Sequence, residues 1–150
     1  MIPQDYQGGP NPATLKTRAI GQERLQDWIA NRIKAKKAMI LLDMIGDKNL
    51  NVTVTGSLVH EVFDASRAAG FRDYFSYGGN GMLDDHVPFL RAGIPAVDLI
   101  DFTFGSAPGL NDYWHTEKDT LDKISPHSME IVGQTTLRLI ELFENQAAGH

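Results

Sequence analysis

Two short, unbroken apolar runs constrain the fold of this chain most. They are Ala38-Met39-Ile40-Leu41-Leu42, closed by Asp43, and Ile94-Pro95-Ala96-Val97-Asp98-Leu99-Ile100, closed by Asp101. A strand with one wet face alternates apolar and polar residues, whereas a strand covered on both faces reads as a near-continuous apolar stretch. The first run is therefore expected to be a central parallel strand, and the second a mostly buried one. Between them Leu50-Asn51-Val52-Thr53-Val54-Thr55 alternates with period two, which predicts a strand with one apolar face ending at Gly56.

Helical spacing fills the gaps between these strands. Leu25, Trp28, Ile29 and Ile33 share one face of a helix predicted over residues 22–36, with Lys34, Lys36 and Lys37 at its C-terminal end. Ser57 is expected to cap a helix carrying Leu58, Val62, Ala65 and Ala69, and Gly70 to end it. A short helix is expected near Val87–Ala92. Ser125-Pro126 opens a last helix running to about Asn145, with Met129, Val132, Thr136, Ile140 and Phe143 facing inward. Gly8-Gly9-Pro10-Asn11-Pro12 makes residues 1–20 an irregular lead-in, and residues 21–150 form one α/β domain with a largely parallel or mixed sheet.

Composition narrows the function classes. With 42% hydrophobic and 22% charged residues, a 150-residue chain can bury a core. It has 14 basic against 19 acidic residues and no long basic block, so nucleic acid is not an expected partner. No apolar run reaches membrane-spanning length. Met1 to Tyr6 has neither the basic nor the apolar region of a signal peptide, and the compartment is left unassigned. There are no cysteines, so any metal must be held by His, Asp or Glu.

Three places could bear chemistry. Asp43 directly follows an apolar strand, where sites of open α/β sheets lie, although an Asp there also caps turns. Asp84-Asp85-His86 follows the glycine-rich Tyr77-Gly78-Gly79-Asn80-Gly81 and reads either as a ligand cluster or as a helix start capped by Asp85. Adjacent carboxylates repel unless a cation or donors offset them, which weighs toward a site. Tyr113-Trp114-His115-Thr116 lies in a long loop over residues 101–124, with no periodic pattern to explain its aromatics. It reads as a pocket or as an aromatic anchor. His60, His127 and His150 read as ordinary polar residues.

Taken in order, Leu41-Leu42-Asp43-Met44-Ile45-Gly46, Tyr77-Gly78-Gly79, Asp84-Asp85-His86-Val87-Pro88-Phe89-Leu90, Gly93-Ile94-Pro95 and Trp114-His115-Thr116 with Asp119 resemble the zinc-dependent aminopeptidase family that includes glutaminyl cyclases. The likeness covers roughly residues 38–145 and implies the C-terminal half of a three-layer α/β sandwich. It implies that His115 is a zinc ligand, that Asp43 is either a ligand to a second metal, as in two-zinc aminopeptidases, or a residue of the catalytic pocket, as in one-zinc cyclases, that Asp84 is a catalytic proton-transfer carboxylate, and that Trp114 lines the substrate pocket. Thr116 or Asp119 would orient His115. Peptide N-termini are the implied substrate, with hydrolysis as the main reaction and cyclisation of an N-terminal glutamine, or a non-catalytic binding module, as alternatives.

The family's N-terminal His-x-Asp and Glu-Glu pairs have no counterpart here. Catalytic zinc typically takes three protein ligands. The expectation is therefore a partial site with weak or absent zinc binding, inactive alone, whose partner is a missing N-terminal half or a second copy joined through an exposed sheet edge. Relatives in this family are often exported.

Overall fold

The computed structural model describes residues 38–79 and 82–148. The lead-in at 1–20 and the helix expected over 22–36 lie outside the described residues. The ordered elements are β1 (Met39–Asp43), β2 (Val52–Gly56), α1 (Val59–Ala68), β3 (Phe75–Tyr77), α2 (Val87–Arg91), β4 (Ala96–Ile100) and α3 (Pro126–Ala148). Two single 3₁₀ turns lie at Arg72–Tyr74 and Leu121–Lys123. The sheet order is β1-β4-β2-β3, with β1 parallel to β4, β2 parallel to β3, and β2 antiparallel to β4. This is an α/β fold around a mixed sheet.

The second apolar run is buried as expected, but it, and not the first, holds the central place among the described residues. β4 is central and all five of its residues are buried, whereas β1 has a strand neighbour on one side only among the described residues. β1 is half-buried, with Leu42 41% exposed. An apolar run reports covered faces, but it does not say which of two such runs has neighbours on both edges.

Alternation along the strands gives the sheet two unlike faces. Val52, Val54, Val97 and Leu99 point to one face, where they form a buried cluster with Val62 and Ala65 of α1 and Ile131, Val132 and Leu139 of α3. Thr53, Thr55, Ala96, Asp98, Ile100 and Asp43 fall on the other face by register. That face is covered by α2 and the loops around it, and it includes the chemistry.

Helix α3 turns differently from its expected face. Val132 is buried and Phe143 half-buried, but Met129 and Ile140 are 49% and 41% exposed. The buried stripe is Ser128, Ile131, Val132, Thr135 and Leu139. Small hydroxyl residues occupy core positions here, and Ser128 Oγ donates to the Asp47 carbonyl at 2.6 Å. Apolarity alone therefore selects the wrong stripe.

Ser57 does not cap α1 either. Leu58 holds the N-cap position with no side-chain bond, and Ser57 Oγ instead accepts from the Ala96 amide at 3.1 Å, bridging the end of β2 to the start of β4. The approach is so close at Gly56 that a Cβ would fall 2.3 Å from the Ala96 carbonyl oxygen, at a φ of +120°. Gly70 ends the α1 segment in the left-handed region, as expected.

Candidate active site

Asp43 is the last residue of β1 and Asp98 lies two register positions back on the same face of β4, opposite Leu41. Asp84 and Asp85 come from the turn before α2 and lie close enough to Asp43 and Asp98 to act on both electrostatically. His115 acts on Asp43 with the opposite sign. Asp43, Asp84 and Asp85, with His115 acting on Asp43, thus lie around the C-terminal end of β1, where open α/β sheets place their sites, and Asp98 lies deeper, within its strand.

The electrostatics are those of acids crowded without a built-in counter-cation. The Asp43 carboxyl is pushed up from its ordinary value, first by burial and then by Asp84, while the Met44 amide and His115 oppose this. Asp98 is pushed up to about 7, again first by burial and then by Asp84, Asp43 and Asp85. Asp98 is fully buried, and neither of its carboxyl oxygens has a hydrogen-bond partner. His86, 2% exposed, is moved down by burial. A cluster of this kind favours protonation or a bound cation.

The backbone marks the same place. Among the described residues the two non-glycine residues with positive φ are Met44, at 49°, and His115, at 57°. One follows Asp43 and the other is the candidate imidazole ligand. Left-handed conformations cost non-glycine residues energy and persist where the surroundings enforce them, often at functional sites.

In the aromatic loop the anchor reading holds for Tyr113 and not for Trp114. Tyr113 anchors the loop: its ring meets the buried Phe104 edge-on at 5.3 Å, and Lys123 Nζ lies 5.4 Å from its centroid. Trp114 projects instead, 39% exposed, with its ring 4.3 Å from that of His115 and 6.0 Å from Phe102. Thr116 Oγ1 donates to the Tyr113 carbonyl at 2.7 Å and the Asp119 amide to the Thr116 carbonyl at 3.1 Å. Both contacts shape the turn that holds His115.

The residues around α2 are assigned differently from the capping reading. The helix N-cap is His86 with no side-chain cap bond, and Asp84, not Asp85, accepts from a backbone amide there, that of Asp85 at 2.8 Å. Sequence reading missed Asp98 and Phe102. A carboxylate inside the apolar run Ala96–Ile100 was the available signal for Asp98, since a buried charge is costly without a role. Phe102 offers no such signal, because loop aromatics anchor as often as they line pockets.

Among the described residues no three His, Asp or Glu side chains are arranged to hold a metal ion together. Asp43 and His115 have the donor chemistry zinc accepts, but two donors do not complete a site. Among the described residues no helix is long and apolar enough to cross a membrane.

Solved structures similar to this chain include glutaminyl cyclases, an aminopeptidase precursor and Zn-dependent exopeptidases. An Acidobacteriales bacterium glutaminyl cyclase is 35% identical, with a TM-score of 0.68 over 87% of this chain and 45% of that one. The Porphyromonas gingivalis glutaminyl cyclase is 30% identical, TM-score 0.64, over 81% and 47%. A leucine aminopeptidase precursor from Bacteroides thetaiotaomicron is 29% identical, TM-score 0.67, over 92% and 48%. The chain thus spans just under half the length of these proteins. Peptidase family M28 matches residues 22–140, and the chain belongs to that family, as a metallopeptidase-type domain.

Proposed function

We propose that this chain contributes one side of a zinc-dependent site acting at the N-termini of peptides, with Asp43 and His115 as metal ligands, Asp84 as the proton-transfer carboxylate and Trp114 as the wall of the substrate pocket. The observation that best supports this is the coincidence of left-handed backbone at Met44 and His115 with the carboxylate cluster at the end of β1. Zinc in such a site polarises a carbonyl and acidifies water. The chain's own residues do the rest. Asp84, half-buried and tied to its own turn, would take and return a proton, and the Trp114–Phe102 surface would seat the terminal residue.

Two ligands are too few for tight zinc, so further donors would have to come from outside the described residues. On this reading the chain binds zinc weakly and is inactive alone. Peptide hydrolysis is the first reaction such a site would serve. Cyclisation of an N-terminal glutamine is the second reading, favoured by the electrostatic reach of Asp84 to Asp43 and Asp98.

Zinc titration of the labelled 150-residue chain, followed by NMR, tests the assignment. Shifts are expected first at Asp43 and His115, and a peptide with an N-terminal leucine or glutamine should perturb the Trp114 indole. Zinc responses confined to His60 or His127 would sink it, while stoichiometric zinc surviving dialysis against chelator, with turnover, would sink the partial-site reading. Wherever turnover is obtained, Asp84→Asn should lower kcat by about 10²–10⁴.

A further inference from the structure

The oddest buried pair in the molecule is His86 and Asp98. His86 is the residue after Asp84-Asp85, yet its ring is 2% exposed while Asp85 is exposed and Asp84 half-buried. Its Nδ1 lies 3.6 Å from Asp98 Oδ2. That separation lies just outside hydrogen-bond reach, and neither atom has a hydrogen-bond partner. The charged groups acting on both residues are acidic, Asp84 and Asp85 on each and Asp43 on Asp98, so no cation compensates them. Burial drives His86 toward neutral imidazole and Asp98 toward neutral acid. Burial thus works against an ion pair here.

A pair of this shape is a poor way to gain stability, because two apolar side chains of similar volume would fill the space without stranding polar atoms. What a polar pair gives is direction. The backbone on either side shows where that direction is used. The Val87 amide donates to the Asp84 carbonyl at 3.0 Å and the Leu90 amide to the His86 carbonyl at 3.2 Å, so the turn with Asp84 and the start of α2 are tied to the residue whose ring is locked below.

We propose that His86 is a positioning residue: a hydrogen bond closing the 3.6 Å between its Nδ1 and the Asp98 carboxyl locks the ring under α2 and thereby fixes the Asp84-Asp85 turn over the end of β1. That Asp84 is the group worth fixing rests on the function proposed above. The lock itself does not. Asp98 offers the proton, Nδ1 accepts it, and the second ring nitrogen holds the remaining one, so the ring is held in a single tautomer.

The test uses the full chain labelled with ¹⁵N and ¹³C, at pH 6.5. In the wild type the two His86 ring nitrogens should give well-separated signals of one neutral tautomer, with Asp84 and Asp85 amide order parameters near the rigid value of about 0.85. Asp98→Leu should average the ring signals and drop those order parameters to below about 0.6, leaving β2 and α3 unchanged. Asp98→Asn should restore both, since its amide can still bond Nδ1.

Averaged ring nitrogens in the wild type overturn the proposal without any variant, and so does an Asp98→Leu chain whose Asp84 and Asp85 stay rigid. If Asp98→Leu does not fold, Asp98→Asn decides: a single tautomer with a rigid turn upholds the lock, and a freed ring or a mobile turn overturns it. Because no turnover is read, failure of the proposed chemistry and failure of this lock are separate outcomes.

Discussion

Leu99 and Asp98 are neighbours on the central strand, both buried almost completely, and they look out on opposite sides of one sheet. On Leu99's side the packing is mainly apolar, with α1 and α3 closing over Val52, Val54 and Val97 and a few buried hydroxyls such as Ser128 and Thr135 among them. On Asp98's side the sheet buries a carboxyl with no bonded partner among further acids. Equal burial thus means opposite things: one face holds the fold together and the other spends stability to keep polar groups in place.

The largest expected effect tests the apolar side. Leu99→Ala removes a side chain at the centre of the cluster and should cost about 2–5 kcal/mol in urea unfolding. A loss below about 1 kcal/mol would mean that the helical layer collapses onto the gap and that the two faces differ less than their packing indicates.

The next test reads the polar side through pH. The folded-state value of Asp98, about 7, lies above its ordinary 3.8. A raised group favours folding fully below its unfolded value, and that contribution is lost as pH climbs through the folded value. Asp43 and Asp47 are raised as well, in each case first by burial, and act in the same sense. Stability in metal-free buffer should therefore fall between about pH 4 and pH 7, by on the order of 2–4 kcal/mol from Asp98 alone. Asp98→Asn should flatten most of that slope. A wild-type stability that rises across this window would break the contrast outright.

A smaller effect sharpens the comparison within the polar side. Asp43 and Asp101 each close a strand, and the strands are parallel neighbours. Asp101 is fully buried but saturated: it accepts from the Asn51 amide at 2.8 Å, the Thr103 amide at 2.9 Å and Thr103 Oγ1 at 2.6 Å. Asp43 instead sits among acids. Asp101→Ala should cost about 1–3 kcal/mol by stranding those donors. Asp43→Ala should be near neutral in stability and should abolish the zinc response of the chain.

How much of this was legible before the structure depended on whether a signal was local. Strand periods, Gly56, Gly70 and Ser125-Pro126 are local, and β2, α1 and α3 fall close to where those signals put them. Strand order is not local, so the central place went to β1 instead of β4. The inward face of α3 depends on which partner it meets, and the hydroxyls of Ser128 and Thr135 disguised it. For the candidate site, Asp43, Asp84, Trp114 and His115 are singled out by an ordered set of motifs. Asp98 lay hidden in a strand pattern, because a period-based reading treats the run as apolar and does not ask what the single acid in it faces.

The smallest effect concerns the loop that carries the imidazole. His115 has a φ of 57°, where a Cβ meets its own backbone and glycine does not. Comparing His115→Gly with His115→Ala removes the ring in both cases and leaves the backbone requirement as the difference. Glycine gains freedom in the unfolded chain, which works against it, but the left-handed cost avoided in the folded state is larger. His115→Gly should therefore be more stable than His115→Ala by about 1 kcal/mol in thermal unfolding. Equal stabilities, or alanine ahead, would mean that the loop relaxes once the ring is gone. The strain would then be imposed by the packing of the imidazole on Trp114, 4.3 Å away, and not by the turn that Tyr113 and Thr116 build around it.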